Sequence, residues 1–328
     1  MTFRDTAKVE LHLHLEGAAP PAFIRGLAAE KNIRLEGIFD HEGNYVFESF
    51  EHFLKVYEAA CEPLKGPEDF YRLTRAVLEE LAAHNVVYAE TFISPDFCGG
   101  GDLAAWRDYL AAMSLAADEA ERDLGVTLKG IVTCIRHFGP EQARRASYCA
   151  AETKGSFVTG FGMAGGEMMY RPGDFAWSFD QAREAGLSLT CHAGEWGGPD
   201  MIEETVDRLG VSRIGHGINA IRDPDLVTRL SDEGVVLEVC PGSNVVLGAV
   251  KSWAAHPIAR LRDAGVAVTV STDDPPFFHT TMTAEYDVLH RVFGWDEADF
   301  RAINTTAMNA AFCDADTRKR ILTRLEAA

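Results

Sequence analysis

No run of about 18 apolar residues occurs in the sequence, so a membrane-spanning helix is not expected. The opening stretch "MTFRDTAKVELHLHLEG" lacks the apolar core of a secretory signal, and a cytoplasmic location is the expectation. Basic residues are scarce: 31 Lys and Arg stand against 50 Asp and Glu, a net charge of −19. Nucleic acid and anionic membrane are disfavoured as partners, because phosphate binding needs clustered Lys and Arg. A small neutral substrate is not. No C-x-x-C pair occurs among Cys61, Cys98, Cys134, Cys149, Cys191, Cys240 and Cys313. Reduced thiols fit this scatter better than a disulfide framework. No repeat, low-complexity tract or Pro/Ser-rich linker divides the chain, and residues 1–328 read as one domain. Nothing in the pattern marks an oligomeric state.

What is present is an alternation. Apolar residues make up 47% of the chain, enough for a sizeable core. Eight short β-rich runs are separated by helical stretches: Lys8–His14, Val86–Phe92, Leu128–Ile135, Phe157–Met163, Leu187–Glu195, Arg213–Ile218, Val235–Pro241 and Val266–Asp274. The intervening "EDFYRLTRAVLEELAAHN" has apolar residues at three- and four-residue spacing, as a helix requires. Gly125, Gly186, Gly234 and Gly265 stand where helices should end, ahead of strands. Eight βα units predict an α/β fold of the (β/α)8 TIM-barrel type, with an open doubly wound sheet as the alternative. The stretch from Ala18 to Pro67 is too long for one crossover. It reads as extra helices over the C-terminal mouth, with "YEAACEPL" around Tyr57 as an apolar lid.

In such a barrel the chemistry lies at the C-terminal strand ends. Alternation along a strand puts His12 and His14 of "VELHLHLEG" on one face. A metal site and a polar face with two satisfied histidines are both open from that stretch alone. The fifth run adds His192 and Glu195, the sixth His216, and the eighth Asp273 and Asp274. Three histidines and a carboxylate on one rim suit a catalytic Zn²⁺ with room for water. No H-E-x-x-H helix is present, and no H-x-E with P-C-x-x-C, so neither of those zinc designs applies. The third strand is followed by Arg136 and His137 rather than a lysine able to bridge two metals. One metal is favoured.

The motifs "ELHLHLEG", "MAGGE", "CHAGE", "IGHG" and "STDDP" together resemble the adenosine deaminase family of the amidohydrolase superfamily, from Lys8 to about Ala311. The resemblance implies one Zn²⁺ per chain and hydrolytic removal of a purine 6-amino group by attack of metal-bound hydroxide on C6. It implies His12, His14, His192 and Asp273 as metal ligands and Glu195 as proton carrier. His216 would steer the hydroxide, with Asp273 helping to move protons. Gly165 and Asp274 would hold the purine ring, with His14 and Glu16 also on the substrate side.

Two positions depart from the family pattern. Glu16 stands where adenosine deaminases usually carry Asp, the residue that helps hold ribose, and Gly166 stands where they read Asp. Relatives acting on free adenine or modified purine nucleosides often have Glu at the first position. The loop "GFGMAGGE" looks more like that of the nucleoside enzymes. The expected order of substrates is therefore adenosine or 2′-deoxyadenosine, then free adenine, then another 6-aminopurine nucleoside. A non-catalytic zinc-binding protein and an amidohydrolase of another C–N or ester bond are the readings from other classes. Among lesser residues, Glu10 reads as structural, and Glu90 and Arg136 are candidates for a supporting pair. Cys191 and Cys240 read as small buried hydrophobes. Phe277 and Phe278 read as pocket lining or core. His137, His256 and His279 read as surface or loop groups.

Overall fold

The computed structural model describes residues 2–327. Eight parallel strands follow one another in chain order: β1 (Lys8–His14), β2 (Val86–Ile93), β3 (Thr127–Ile135), β4 (Val158–Ala164), β5 (Ser188–Ala193), β6 (Arg213–His216), β7 (Val236–Val239) and β8 (Ala267–Val270). The ring closes at its upper rim. Asp273 N–H donates to the His12 carbonyl at 3.1 Å, and His14 N–H donates to the Asp273 carbonyl at 3.0 Å. The fold is the (β/α)8 barrel, not the open sheet. Four predicted runs overshoot: β5 stops at Ala193, β6 at His216, β7 at Val239 and β8 at Val270. The chain turns out of the sheet there, with Gly194 at φ 77° and Asp273 at φ 69°.

Alternation along β1 divides its side chains as the pattern requires. Leu11 packs outward with Met308 and Ile321, whereas Glu10 and His12 are fully buried. Glu10 accepts from the backbone N–H of Thr272 at 2.8 Å, which stitches β1 to the chain after β8 and gives Glu10 its structural place.

Below the rim lies a buried ion cluster. The Arg213 guanidinium sits 2.7 Å from Glu90 Oε2 and 2.6 Å from Glu238 Oε1. Its other face rests on the Phe312 ring, 3.5 Å from the centroid. Burial alone would raise the Glu238 carboxyl, but Arg213 and a hydrogen bond from His12 outweigh it and hold the group at about 2. The anticipated Glu90–Arg136 pair does not form. Glu90 is in register with Lys129 in mid-barrel, whereas Arg136 follows the end of β3, roughly 20 Å further along at strand rise.

The segment expected over the mouth forms two helices, α1 (Pro21–Glu30) and α2 (Phe50–Cys61), of which α2 lies at the mouth. Ser49 caps α2 by accepting from His52 N–H at 3.1 Å. Aromatic contacts hold α2 down. Phe53 meets Phe277 and Phe278 at 5.6 and 5.3 Å between centroids, and Phe50 meets Trp196 at 5.2 Å. Phe277, in turn, stacks on Tyr45 at 3.9 Å. The Phe277–Phe278 pair is thus buried core beneath the lid.

Removing Arg213 leaves two carboxylates buried without a counter-charge. Arg213→Ala is expected to lower stability by about 3–5 kcal/mol, read as a fall in the urea midpoint. A loss below about 1 kcal/mol would mean the cluster does not depend on its cation.

Candidate active site

Four side chains converge where the seam closes. His14 Nε2 lies 3.3 Å from His192 Nε2 and 3.1 Å from Asp273 Oδ1, and His12 Nε2 lies 3.4 Å from the same oxygen. All four ligand atoms fall within 4.8 Å of one another. His12 Nδ1 donates to Glu238 Oε2 at 2.8 Å, so the lone pair of the neutral ring is on Nε2. That Nε2 is buried with no hydrogen-bond partner. His192 is held well below the ordinary imidazole range by burial and by His12, His216 and His14 around it. Burial alone would lower the His12 imidazole, but Asp273 and Glu238 outweigh it and push the group up to about 9. A bound cation would take the place of its Nε2 proton and complete an N₃O donor set with His14, His192 and Asp273. Atoms bound to one tetrahedral Zn²⁺ at 2.0–2.1 Å stand about 3.3 Å apart, and the three separations of 3.1–3.4 Å match that spacing. The residues fit a single metal ion.

Gly215 makes room for the cluster. A Cβ there would lie 2.8 Å from His12 Cε1 and 3.1 Å from His192 Nδ1. His216, next along β6, has φ 60°, and Asp273 is in the same left-handed region at φ 69°. Such backbone costs about 1–3 kcal/mol per residue and persists where the surroundings impose it. His216 Nε2 lies 3.9 Å from Asp273 Oδ2. Ser243 donates to that same oxygen at 2.7 Å.

Glu195 is 8% exposed. Burial, and then the neighbouring Asp273 and Glu167, push its carboxyl well above the ordinary range. Its backbone is clamped by Glu167, which accepts from the N–H groups of Gly194, Glu195 (3.1 Å) and Trp196 (2.7 Å). Arg136 ties this clamp to the metal group, donating to the Glu167 carbonyl at 3.1 Å and to the His192 carbonyl at 2.7 Å.

Above the donor set opens a cleft of ≈ 100 Å³, walled by Phe50, Phe53, Leu54 and Tyr57 of α2 and by Phe97, Ile135 and Leu247. His14, His192, Glu195, His216, Asp273, Asp274 and Gly165 all face it. Asp274 is pushed well above its ordinary range by burial and by Asp273. It packs so closely on Gly17 that a Cβ there would lie 1.6 Å from its Oδ1. Glu16 is placed differently. It is 4% exposed, lies outside the cleft lining, and has Tyr57 Oη 3.5 Å from its Oε2.

The histidines without an evident partner divide. His279 is exposed. His137 lines the cleft and accepts from Gly166 N–H at 3.2 Å. His256 is no surface group: it is 2% exposed and bonded to Asn244. Asn244, Ser243, Glu238 and Glu167 were not singled out from the sequence. A signal for two of them exists in "CPGSN", polar residues directly beyond a strand end on the reactive rim. Cys191 and Cys240 are fully buried.

The chain matches the family model described as adenosine deaminase over residues 7–328. An adenine deaminase from Rhizobium leguminosarum bv. trifolii is 45% identical over 319 residues, 97% of this chain and 98% of the relative. The crystal structure of an adenine deaminase from Arthrobacter aurescens superposes with a TM-score of 0.91 at 31% identity, covering 98% of each chain. A zinc-bound amidohydrolase from Burkholderia ambifaria superposes with a TM-score of 0.88 at 27% identity, covering 99% of this chain and 91% of the other.

Glu238 fixes the ring of His12 and stands outside the donor group. Glu238→Gln is expected to weaken metal affinity about 10–100-fold, measured by competition with a chelator. Unchanged affinity would remove Glu238 from the metal site.

Proposed function

The chain belongs to the adenosine deaminase family, and from that premise we propose that it hydrolyses free adenine to hypoxanthine and ammonia. The order of substrates expected from the motifs is thereby reversed: adenine moves ahead of adenosine. The observation that carries this choice is the placement of Glu16. Holding ribose would require its carboxylate to face the cleft; Glu16 is absent from the cleft lining, with Tyr57 Oη of the lid helix 3.5 Å from its Oε2. Relatives at 40–45% identity across 97% of the chain bear the name adenine deaminase, in support of the same reading. No lysine or arginine is among the residues lining the cleft, which carries Glu58, Glu195, Asp273 and Asp274. A phosphorylated substrate would therefore find no basic side chain to pair with.

His12, His14, His192 and Asp273 would hold one zinc ion. Bound there, it supplies hydroxide at neutral pH by lowering the pKa of a water molecule to about 7. The protein's own groups do the remaining work. Addition of hydroxide at C6 breaks ring aromaticity and puts charge on N1. Glu195, kept protonated by its dry surroundings, gives its proton to N1 as the C–O bond forms. His216 orients the hydroxide. Asp273 would relay a proton from the attacking oxygen to the amino nitrogen, which leaves as ammonia. The proton released from the water would restore Glu195. Asp274, also protonated, and Gly165 line the cleft where they would hold the purine ring. α2 keeps bulk water from the reacting centre.

Ammonia release should give a kcat/KM for adenine at least about a hundredfold above that for adenosine, a difference of about 2.7 kcal/mol. The reverse order would return the substrate to the nucleoside. Glu195→Gln is expected to lower kcat about 10²–10⁴-fold while metal content, read by atomic emission, stays unchanged. Full activity in that variant would remove Glu195 as the proton donor.

A further inference from the structure

Behind the cleft a short hydrogen-bonded chain runs from His256 to both proton-handling groups. It starts at a donor that cannot be reversed. The backbone N–H of Ile258 donates to His256 Nδ1 at 3.2 Å. A neutral ring that accepts at Nδ1 carries its proton on Nε2. Burial pulls His256 down to about 4, so the ring is neutral at pH 7. Its Nε2–H lies 3.2 Å from Asn244 Oδ1. That contact orients the amide: oxygen towards His256, NH₂ towards the active site.

The amide nitrogen has two protons and meets two acceptors. Asn244 Nδ2 donates to Glu195 Oε1 at 3.1 Å and lies 3.2 Å from His216 Nδ1. Those two acceptors are themselves 3.8 Å apart, so one NH₂ spans both. Each donation has a consequence. With Oε1 accepting, the acid proton of Glu195 belongs on Oε2. With Nδ1 accepting, the ring proton of His216 belongs on Nε2, the nitrogen nearest Asp273 Oδ2. Asn244 and His256 are buried, at 0% and 2% exposed, and neither lines the cleft.

We propose that Asn244 is a positioning residue that places the proton of Glu195 on Oε2 and that of His216 on Nε2, and that His256 sets its orientation from outside the cleft. Neither residue touches the substrate. The backbone N–H of Ile258, held against His256 Nδ1, serves as the fixed reference from which two catalytic hydrogens are aimed.

Nitrogen-15 shifts of the histidine rings distinguish Nε2–H from Nδ1–H, and are read on the metal-loaded protein without substrate. The unaltered protein is expected to show Nε2–H at both His216 and His256. His256→Phe removes the donor and frees the amide to turn. His216 should then lose its single tautomer, and kcat for adenine should fall at least about tenfold with KM changed less than about threefold. His256→Gln can still donate from Nε2 and should recover kcat to within about threefold of the unaltered enzyme. An Nδ1–H tautomer at His216 in the unaltered protein overturns the proposal. So does a His256→Phe enzyme whose kcat stays within about twofold of the unaltered value. The kinetic arm rests on the adenine deaminase reading. A failure to release ammonia from adenine would sink that reading alone, because the tautomers are measured without substrate.

Discussion

Barrel closure and site assembly depend on the same backbone hydrogen bonds. The seam between the first and last strands is made by the carbonyl of His12, the N–H of His14 and both backbone groups of Asp273. Three of the four prospective metal ligands therefore sit on the closing stitch. The sheet cannot shift its register there without moving the donor set, and a strand slip of one residue would turn the ligands to the opposite face. The left-handed backbone of Asp273 is tolerable in this setting because its neighbours hold it from both sides. Its N–H and carbonyl are spoken for by β1, and its carboxylate by Ser243.

Beneath this rim, buried polar groups are ordered by partners one layer further down. Arg213 fixes Glu238, and Glu238 fixes the ring of His12. His256 orients Asn244, and Asn244 spans Glu195 and His216. Each column begins at a group whose hydrogen-bonding role is unambiguous: an arginine that is always charged, and a backbone amide that can only donate. Uncompensated burial of so many polar atoms would cost far more than a domain's net stability. Connected in series, they give each reactive atom one protonation pattern.

The strands and the rim were legible because both are local patterns. Alternation marks β1, and His12, His14, His192, Glu195, His216 and Asp273 stand at or just beyond the ends of β-rich runs. Their supports were not legible, because those are contacts between distant segments. His12 and Glu238 are 226 residues apart, and Arg213 reaches Glu90 across the barrel. Strand height, invisible in a one-dimensional reading, separated Glu90 from Arg136. His256 looked solitary because its partner is the amide of Asn244, whose role appears only once β7 and its following turn are folded. Substrate choice hung on Glu16, where the decisive neighbour, Tyr57, comes from the lid helix rather than from the motif.

The way α2 is fastened has a thermal consequence. It is held by ring faces: Phe50 on Trp196, Phe53 on Phe277 and Phe278, Tyr57 on Phe277. Lifting it wets aromatic surface, and newly wetted apolar surface raises heat capacity. The free energy of opening is thus a curve in temperature rather than a line. Added salt has little to act on, because screening weakens charges and not ring contacts. Entry to the barrel is governed by warmth more than by ionic strength.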